Sequence, residues 1–254
     1  MAWNPGTYLS FEAERTRPAA ELLARVPDEH PACVVDLGCG PGNSTALLAA
    51  RWPKAKIEGI DSSPDMLAKA RCSGIGADWV EADIANWTPS QPPDVIFSNA
   101  ALQWLTGHDR LLPRLMSFLC KGGALAFQIP RNFDDPCHTL LHGVARDGPW
   151  AGALENIPDR RGVSAREDYF AILEPHAGCV DIWETRYVQV LEGEDAVYRW
   201  MRGTALRPFA AALEEGEREA FLGEYRSRVA KAYPRRASGM TLYPFRRLFA
   251  VAVR

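Results

Sequence analysis

The chain is poor in lysine, with five residues against 24 arginines. It has no apolar run approaching the roughly 20 residues of a membrane span, so no membrane role is expected. Its opening, MAWNPGTYLSFEAERTRP, lacks a basic start and an apolar signal core, which argues against secretion. The six cysteines, Cys33, Cys39, Cys72, Cys120, Cys137 and Cys179, form no CxxC pair and no cluster with histidine. That spacing excludes a zinc ribbon and a disulfide framework and suits a reducing, cytoplasmic setting. No metal is expected. The net charge of −3 gives no reason to expect a nucleic-acid partner, which calls for a basic face.

What is present points to one soluble α/β domain. The 254 residues are 47% hydrophobic and 24% charged, enough apolar material for a sizeable core. The first half alternates strand and helix. ACVVDL, AKIEGID, DWVEAD, PDVIFSN and GGALAFQIP read as strands. NSTALLAARW and SSPDMLAKA read as helices, the second opened by Ser62 or Ser63 with Pro64 in its first turn. RLLPRLMSFL reads as a helix broken or kinked at Pro113. Strands alternating with helices predict a doubly wound parallel sheet. After Pro130 the rhythm breaks. Helical pieces are expected near 137–146 and 164–174, a strand at VDIWETRYVQVL, helices at DAVYRWMRGTAL and EREAFLGEYRSRVAKAY, and an apolar strand at the end.

The chemistry-bearing stretch is DLGCGPGNST, residues 36 to 45. Gly38, Gly40 and Gly42 follow a strand and open a helix, where free N–H groups and the helix dipole meet a ligand. The spacing differs from the G-x-G-x-x-G of dinucleotide sites, which argues against a nicotinamide oxidoreductase. Asp61 closes the second strand, where a carboxylate accepts bonds from both ribose hydroxyls. Asp83 follows the third strand, placed for an adenine amino group with Ile84 against the ring. NAALQW follows the fourth. All lie at carboxyl ends of parallel strands, where open α/β sheets bind ligands.

VVDLGCGPGNST, GIDSSPDML, VEADI and SNAALQWL together resemble the first four motifs of class I S-adenosylmethionine-dependent methyltransferases. WNPGTYLSFEAERTRPAAELLARVP, LQWL, VDIWETRY, GTALRPF and RRLF resemble the trans-aconitate methyltransferases among them. The resemblance implies a seven-stranded sheet in the order 3-2-1-4-5-7-6, its last strand antiparallel, with a helical cap. It implies a lid helix within 1–30, a cofactor-binding core at 31–130, cap segments at 131–178 and 193–238, and terminal strands at 179–192 and 240–254. S-adenosyl-L-methionine is the cofactor implied and S-adenosyl-L-homocysteine its product. Asp36, Gly38 and Gly40 would line the methionine and ribose portion, Asp61 and Ser62 the ribose, Asp83 and Ile84 the adenine, and Asn99 the methionine portion.

The substrate implied is a small polycarboxylate. A carboxylate is ionised at neutral pH and already nucleophilic, so no general base is required. His108 is a candidate base for another acceptor, or a capping residue. Counter-charge is required, and arginine forks onto carboxylates bidentately. Arg207 and Arg247 are the leading candidates, with Arg15, Arg17 and Arg246 behind them. Tyr8, Gln103, Trp104 and Tyr243 are candidate hydrogen-bonding or wall residues, Trp104 serving equally well as a core residue; the lid helix that the resemblance implies would put Trp3, Tyr8 and Arg15 close to the pocket mouth. Neighbouring strand residues face opposite sides, so spacing alone leaves Arg246 and Arg247 undecided. Two alternatives stand beside this reading: a methyltransferase on another small or thioester-linked acid of malonyl type, and a non-enzymatic cofactor-binding protein.

Overall fold

The computed structural model describes residues 12–157 and 163–254, with side chains from residue 16 onward in the first segment. Helix α1 is Glu12–Leu23, and β1, Cys33–Leu37, is the first strand. There follow α2 (Asn43–Arg51), β2 (Lys56–Asp61), α3 (Pro64–Arg71), β3 (Asp78–Glu81) and β4 (Val95–Asn99). A single-turn 3-10 segment, Leu102–Trp104, leads to α4 (His108–Phe118) and β5 (Ala124–Pro130). The later elements are α5 (Pro136–Asp147), α6 (Ala151–Leu154), α7 (Arg166–Leu173), β6 (Cys179–Glu192), α8 (Ala196–Arg202), α9 (Leu206–Ala211), α10 (Glu215–Ala232) and β7 (Met240–Val253).

The strands form one seven-stranded sheet in the order β3-β2-β1-β4-β5-β7-β6. Strands β1 to β5 pair in parallel, and β7 runs antiparallel to β5 from Ala124↔Val253 to Pro130↔Arg247. Order and direction match the expected architecture. The continuous apolar runs of β1, β4 and β5 are explained by burial on both faces. The order reverses between β1 and β4, and the carboxyl ends of these two strands define the switch point.

Two sequence expectations change. Helix α4 runs unbroken through Pro113. The proline removes one ladder bond, and burial of Leu111, Leu112, Leu115 and Met116 outweighs that loss. The helix in DAVYRWMRGTAL stops at Arg202, and a second helix starts only at its last residue, Leu206. The chain leaves α8 at Gly203, and the Thr204 hydroxyl donates to the Trp200 and Met201 carbonyls at 3.3 and 3.5 Å, competing with the helical ladder.

Two compact units emerge. The sheet unit comprises Ala13–Pro130, Gly162–Thr185 and Arg247–Arg254. Its core gathers Val35, Leu37, Ile60, Ile96, Leu112, Phe127 and Leu248, together with Tyr169 and Leu173 of α7. The helical unit comprises, among the described residues, 131–157 and Arg186–Arg246. It has a separate core around Leu141, Trp200, Phe221, Tyr225 and Tyr243.

Candidate active site

The glycine loop sits where β1 gives way to α2, in a conformation that L-residues rarely adopt. Gly38, Gly40 and Gly42 have φ of 74°, 57° and 99°. The N–H groups of Gly38 and Cys39 both donate to the Ile60 carbonyl, at 2.8 and 3.0 Å, which ties the loop to the end of β2. A Cβ on Gly38 would stand 2.2 Å from the Cβ of Ala101, so the second residue after β4 closes over this glycine. A Cβ on Gly40 would meet no atom of the described residues within 4 Å. The backbone there is open to a ligand.

Carboxylates surround the loop. Asp36 is fully buried, and its Oδ2 accepts from the hydroxyls of Ser44 at 2.7 Å and Thr45 at 2.6 Å. Its Oδ1 is buried and has no hydrogen-bond partner among the described residues. Burial pushes this carboxyl up to about 6; the Thr45 and Ser44 bonds pull it down, and the charge of Asp61 adds to the rise. Burial, then the charges of Asp36 and Asp61, hold the Cys39 thiol well above the usual thiol range. Asp61 Oδ2 accepts the Gly40 N–H at 2.9 Å, and its Oδ1 accepts the Ser63 N–H at 2.8 Å. Ser63 rather than Ser62 caps α3, its Oγ accepting from Met66 N; Ser62 is exposed beside Asp61. Asp83 is exposed and caps its own turn, Oδ1 accepting the Ala85 N–H at 2.9 Å. Ile84 is buried in the sheet core, with its Cδ1 3.7 Å from the position a Gly38 Cβ would take.

The end of β4 is pinned from two sides. Asn99 Oδ1 accepts from Gln128 Nε2 at 2.8 Å, and the Ala100 N–H donates to the Gln128 carbonyl at 2.8 Å. Ala100 is left-handed, at φ 54°, which a non-glycine residue tolerates only when its surroundings impose it. Gln103 Nε2 donates to the Ala100 carbonyl at 2.6 Å and secures the other side. On β7, the buried Arg247 donates from Nη1 to Gln128 Oε1 at 2.8 Å, whereas Arg246 donates from Nε to the Arg131 carbonyl at 2.9 Å. Gln128 and Ala101 were not singled out by the motifs. The signal for Gln128 was its isolation as the one polar side chain in ALAFQIP.

The remaining candidates divide. Arg207 is exposed on α9, in the helical unit. Tyr243 is fully buried in that unit's core, and its hydroxyl accepts from Asn132 Nδ2 at 3.2 Å. Trp104 is 51% exposed on the 3-10 turn of the sheet unit. Arg17 pairs with Glu21 on α1 at 2.8 Å. Trp3 and Tyr8 lie outside the described residues, as does the side chain of Arg15. His108 is buried, with Nε2 2.9 Å from the Leu102 carbonyl and Nδ1 2.7 Å from the Tyr169 hydroxyl. A carbonyl only accepts, so Nε2 carries the hydrogen and Nδ1 accepts from Tyr169. Both nitrogens are thus engaged.

A methyltransferase-domain family matches residues 34–123, the span from β1 to the start of β5. Over the whole chain, the trans-aconitate 2-methyltransferase of Azoarcus sp. is 48% identical across 252 residues, covering 99% of both proteins. That of Methylobacterium nodulans is 50% identical across 254 residues, covering 99% of this chain and 98% of its own. The chain belongs to the trans-aconitate 2-methyltransferase family. Solved structures agree on the fold of this family member. The YcgJ protein of Bacillus subtilis superposes with a TM-score of 0.61 at 11% identity, over 94% of this chain and 98% of its own. A Haemonchus contortus phosphoethanolamine N-methyltransferase 2 does so with a TM-score of 0.54 at 15% identity, over 93% of this chain and 52% of its own.

The site of this family member suits a cationic nucleoside cofactor. The buried Asp36 Oδ1 needs a donor, the backbone at Gly40 is open, and the acids Asp36 and Asp61 make the loop electronegative. Among the described residues no group of three or more His, Cys, Asp or Glu is arranged to hold a metal, and no helix is long and apolar enough to cross a membrane.

Proposed function

We propose that the protein methylates a carboxylate of trans-aconitate, giving the monomethyl ester. The observation that carries this reading is near-half identity, spread over 99% of each chain, to an enzyme named for that reaction. S-adenosyl-L-methionine, when bound, supplies an electrophilic methyl group on a sulfonium. The glycine loop and Asp61 would hold the nucleoside, Ile84 and the turn at Asp83 would flank the base, and Asp36 and Asn99 would serve the amino-acid end. The substrate carboxylate is already the nucleophile, so the protein's task is orientation and exclusion of water. Arg247, buried in the sheet unit, is the arginine we assign to the substrate's charge.

The test is methyl transfer from labelled cofactor to a panel of acids: trans-aconitate, cis-aconitate, citrate and a malonyl thioester. Monomethyl trans-aconitate is the expected product. Preference for the malonyl thioester, with equal cofactor affinity, would replace the substrate and leave the reaction class. Charge complementarity to a small polyanion favours the first outcome.

A further inference from the structure

Three side chains on neighbouring strands fix an orientation that none of them fixes alone. Arg247 Nη1 donates to Gln128 Oε1, and Gln128 Nε2 donates to Asn99 Oδ1, each at 2.8 Å. A guanidinium has donors and no acceptor. The oxygen of the Gln128 amide therefore faces Arg247, and its nitrogen faces Asn99. Asn99 must then turn its own oxygen toward Gln128. Its Nδ2, with two hydrogens to give, is left for whatever lies at the end of β4. Gln128 is fully buried, so a reversed amide would set donor against donor at Arg247 with no solvent to relieve it. The backbone of the same turn is fixed independently, by the Gln128 carbonyl on Ala100 N–H and by Gln103 on the Ala100 carbonyl.

We propose that Gln128 is a positioning residue that transmits the donor-only character of Arg247 to Asn99 and so sets the Asn99 amide as a hydrogen-bond donor toward the ligand. The ligand group selected this way is an acceptor, such as the carboxylate of an amino-acid moiety. The inference rests on the cofactor reading above and names the polarity of one contact within it.

The test uses parity. Gln128→Glu keeps the shape and still accepts from Arg247, but offers Asn99 only acceptors. Asn99 must then rotate and present its oxygen to the ligand. Gln128→Met removes both bonds and leaves Asn99 free to choose. Asn99→Asp keeps the bond from Gln128 and presents only acceptors to the ligand. Calorimetric titration with S-adenosylhomocysteine is expected to show affinity weakened about ten- to hundredfold in Gln128→Glu and in Asn99→Asp, and less in Gln128→Met. Thermal melting should show the opposite order for the two Gln128 variants, Met being the less stable. A merely structural glutamine would lose most affinity in Gln128→Met. That result, or wild-type affinity in Asn99→Asp, would overturn the proposal. Wild-type protein that binds the homocysteine but methylates no acid removes the substrate assignment and leaves this inference in place. Wild-type protein that binds none of it removes both.

Discussion

Asp61 Oδ2 accepts the N–H of Gly40 at 2.9 Å, across 21 residues of sequence. The acid that closes β2 thus fastens the loop that follows β1, and its other oxygen holds Ser63 at the start of α3. One side chain shapes the loop and, on the proposed reading, also holds the nucleoside. Asp61→Asn puts an amide where two N–H groups want acceptors, so one of the two bonds is lost. The expected result is a loss of about 1–2 kcal/mol in unfolding free energy, with S-adenosylhomocysteine affinity down by at least about tenfold. Urea unfolding and calorimetry read the two effects separately. Unchanged affinity would show that the nucleoside lies elsewhere.

Gly38 and Gly40 should respond differently to alanine. Both have positive φ, which alone costs alanine about 1 kcal/mol. At Gly38 the new methyl also collides with Ala101, whose backbone neighbour Ala100 is already constrained. Gly38→Ala should lower the melting temperature by several degrees and disturb the β4 turn. At Gly40 the methyl enters open space. Gly40→Ala should therefore fold with little further loss and bind cofactor poorly. Melting curves with and without S-adenosylhomocysteine check both. Full ligand stabilisation in Gly40→Ala would contradict the assignment of that space.

Asp36 should link stability and, on the proposed reading, cofactor affinity to pH. Its folded value, about 6, exceeds the ordinary 3.8. Between these values the folded protein keeps a proton that the unfolded chain has released. Stability from this group is therefore fully present below about 4, falls as pH rises, and is lost above about 6; the two-unit difference corresponds to about 3 kcal/mol. Asp36→Asn removes the penalty. Unliganded Asp36→Asn should melt higher than wild type at pH 8 and no higher at pH 4. The ionised carboxylate attracts a cation, so wild-type affinity for S-adenosylmethionine should fall as pH drops through about 6. A flat affinity from pH 5 to 8 would exclude Asp36 from that role.

The sheet was legible because its strands are short apolar runs bounded by glycine, proline and acids. KIEGID reads as a strand and is one, Lys56–Asp61. The candidate cofactor residues were chosen for a related reason: Asp61 and Asn99 close strands that the same runs mark out, and the structure places them at those ends. The continuity of the helix at Pro113 was not legible, since local proline chemistry argues for a break or a kink and only tertiary burial overrides the break. Arg246 and Arg247 were inseparable in sequence because adjacent strand residues face opposite ways. Their partners, Arg131 and Gln128, lie 115 and 119 residues away. Tyr243 read as a candidate wall residue, whereas its surroundings come from α5, α8 and α10, elements that no local pattern connects to it.

His108 provides the sharpest test of whether the reaction needs a base. Its imidazole is held by the Leu102 carbonyl on one side and the Tyr169 hydroxyl on the other, which fixes the 3-10 turn bearing Gln103 and Trp104. A histidine bound at both nitrogens braces the turn and has no lone pair to spare for a substrate proton. His108→Gln retains a donor of similar reach for the carbonyl and gives up the Tyr169 bond. It should lower the melting temperature by a few degrees, about 1 kcal/mol, and leave kcat on trans-aconitate within about threefold of wild type. General-base catalysis contributes about 10²–10⁴-fold where it operates. A loss of that size in a variant that still melts like wild type would make His108 catalytic and require an acceptor that is not already ionised.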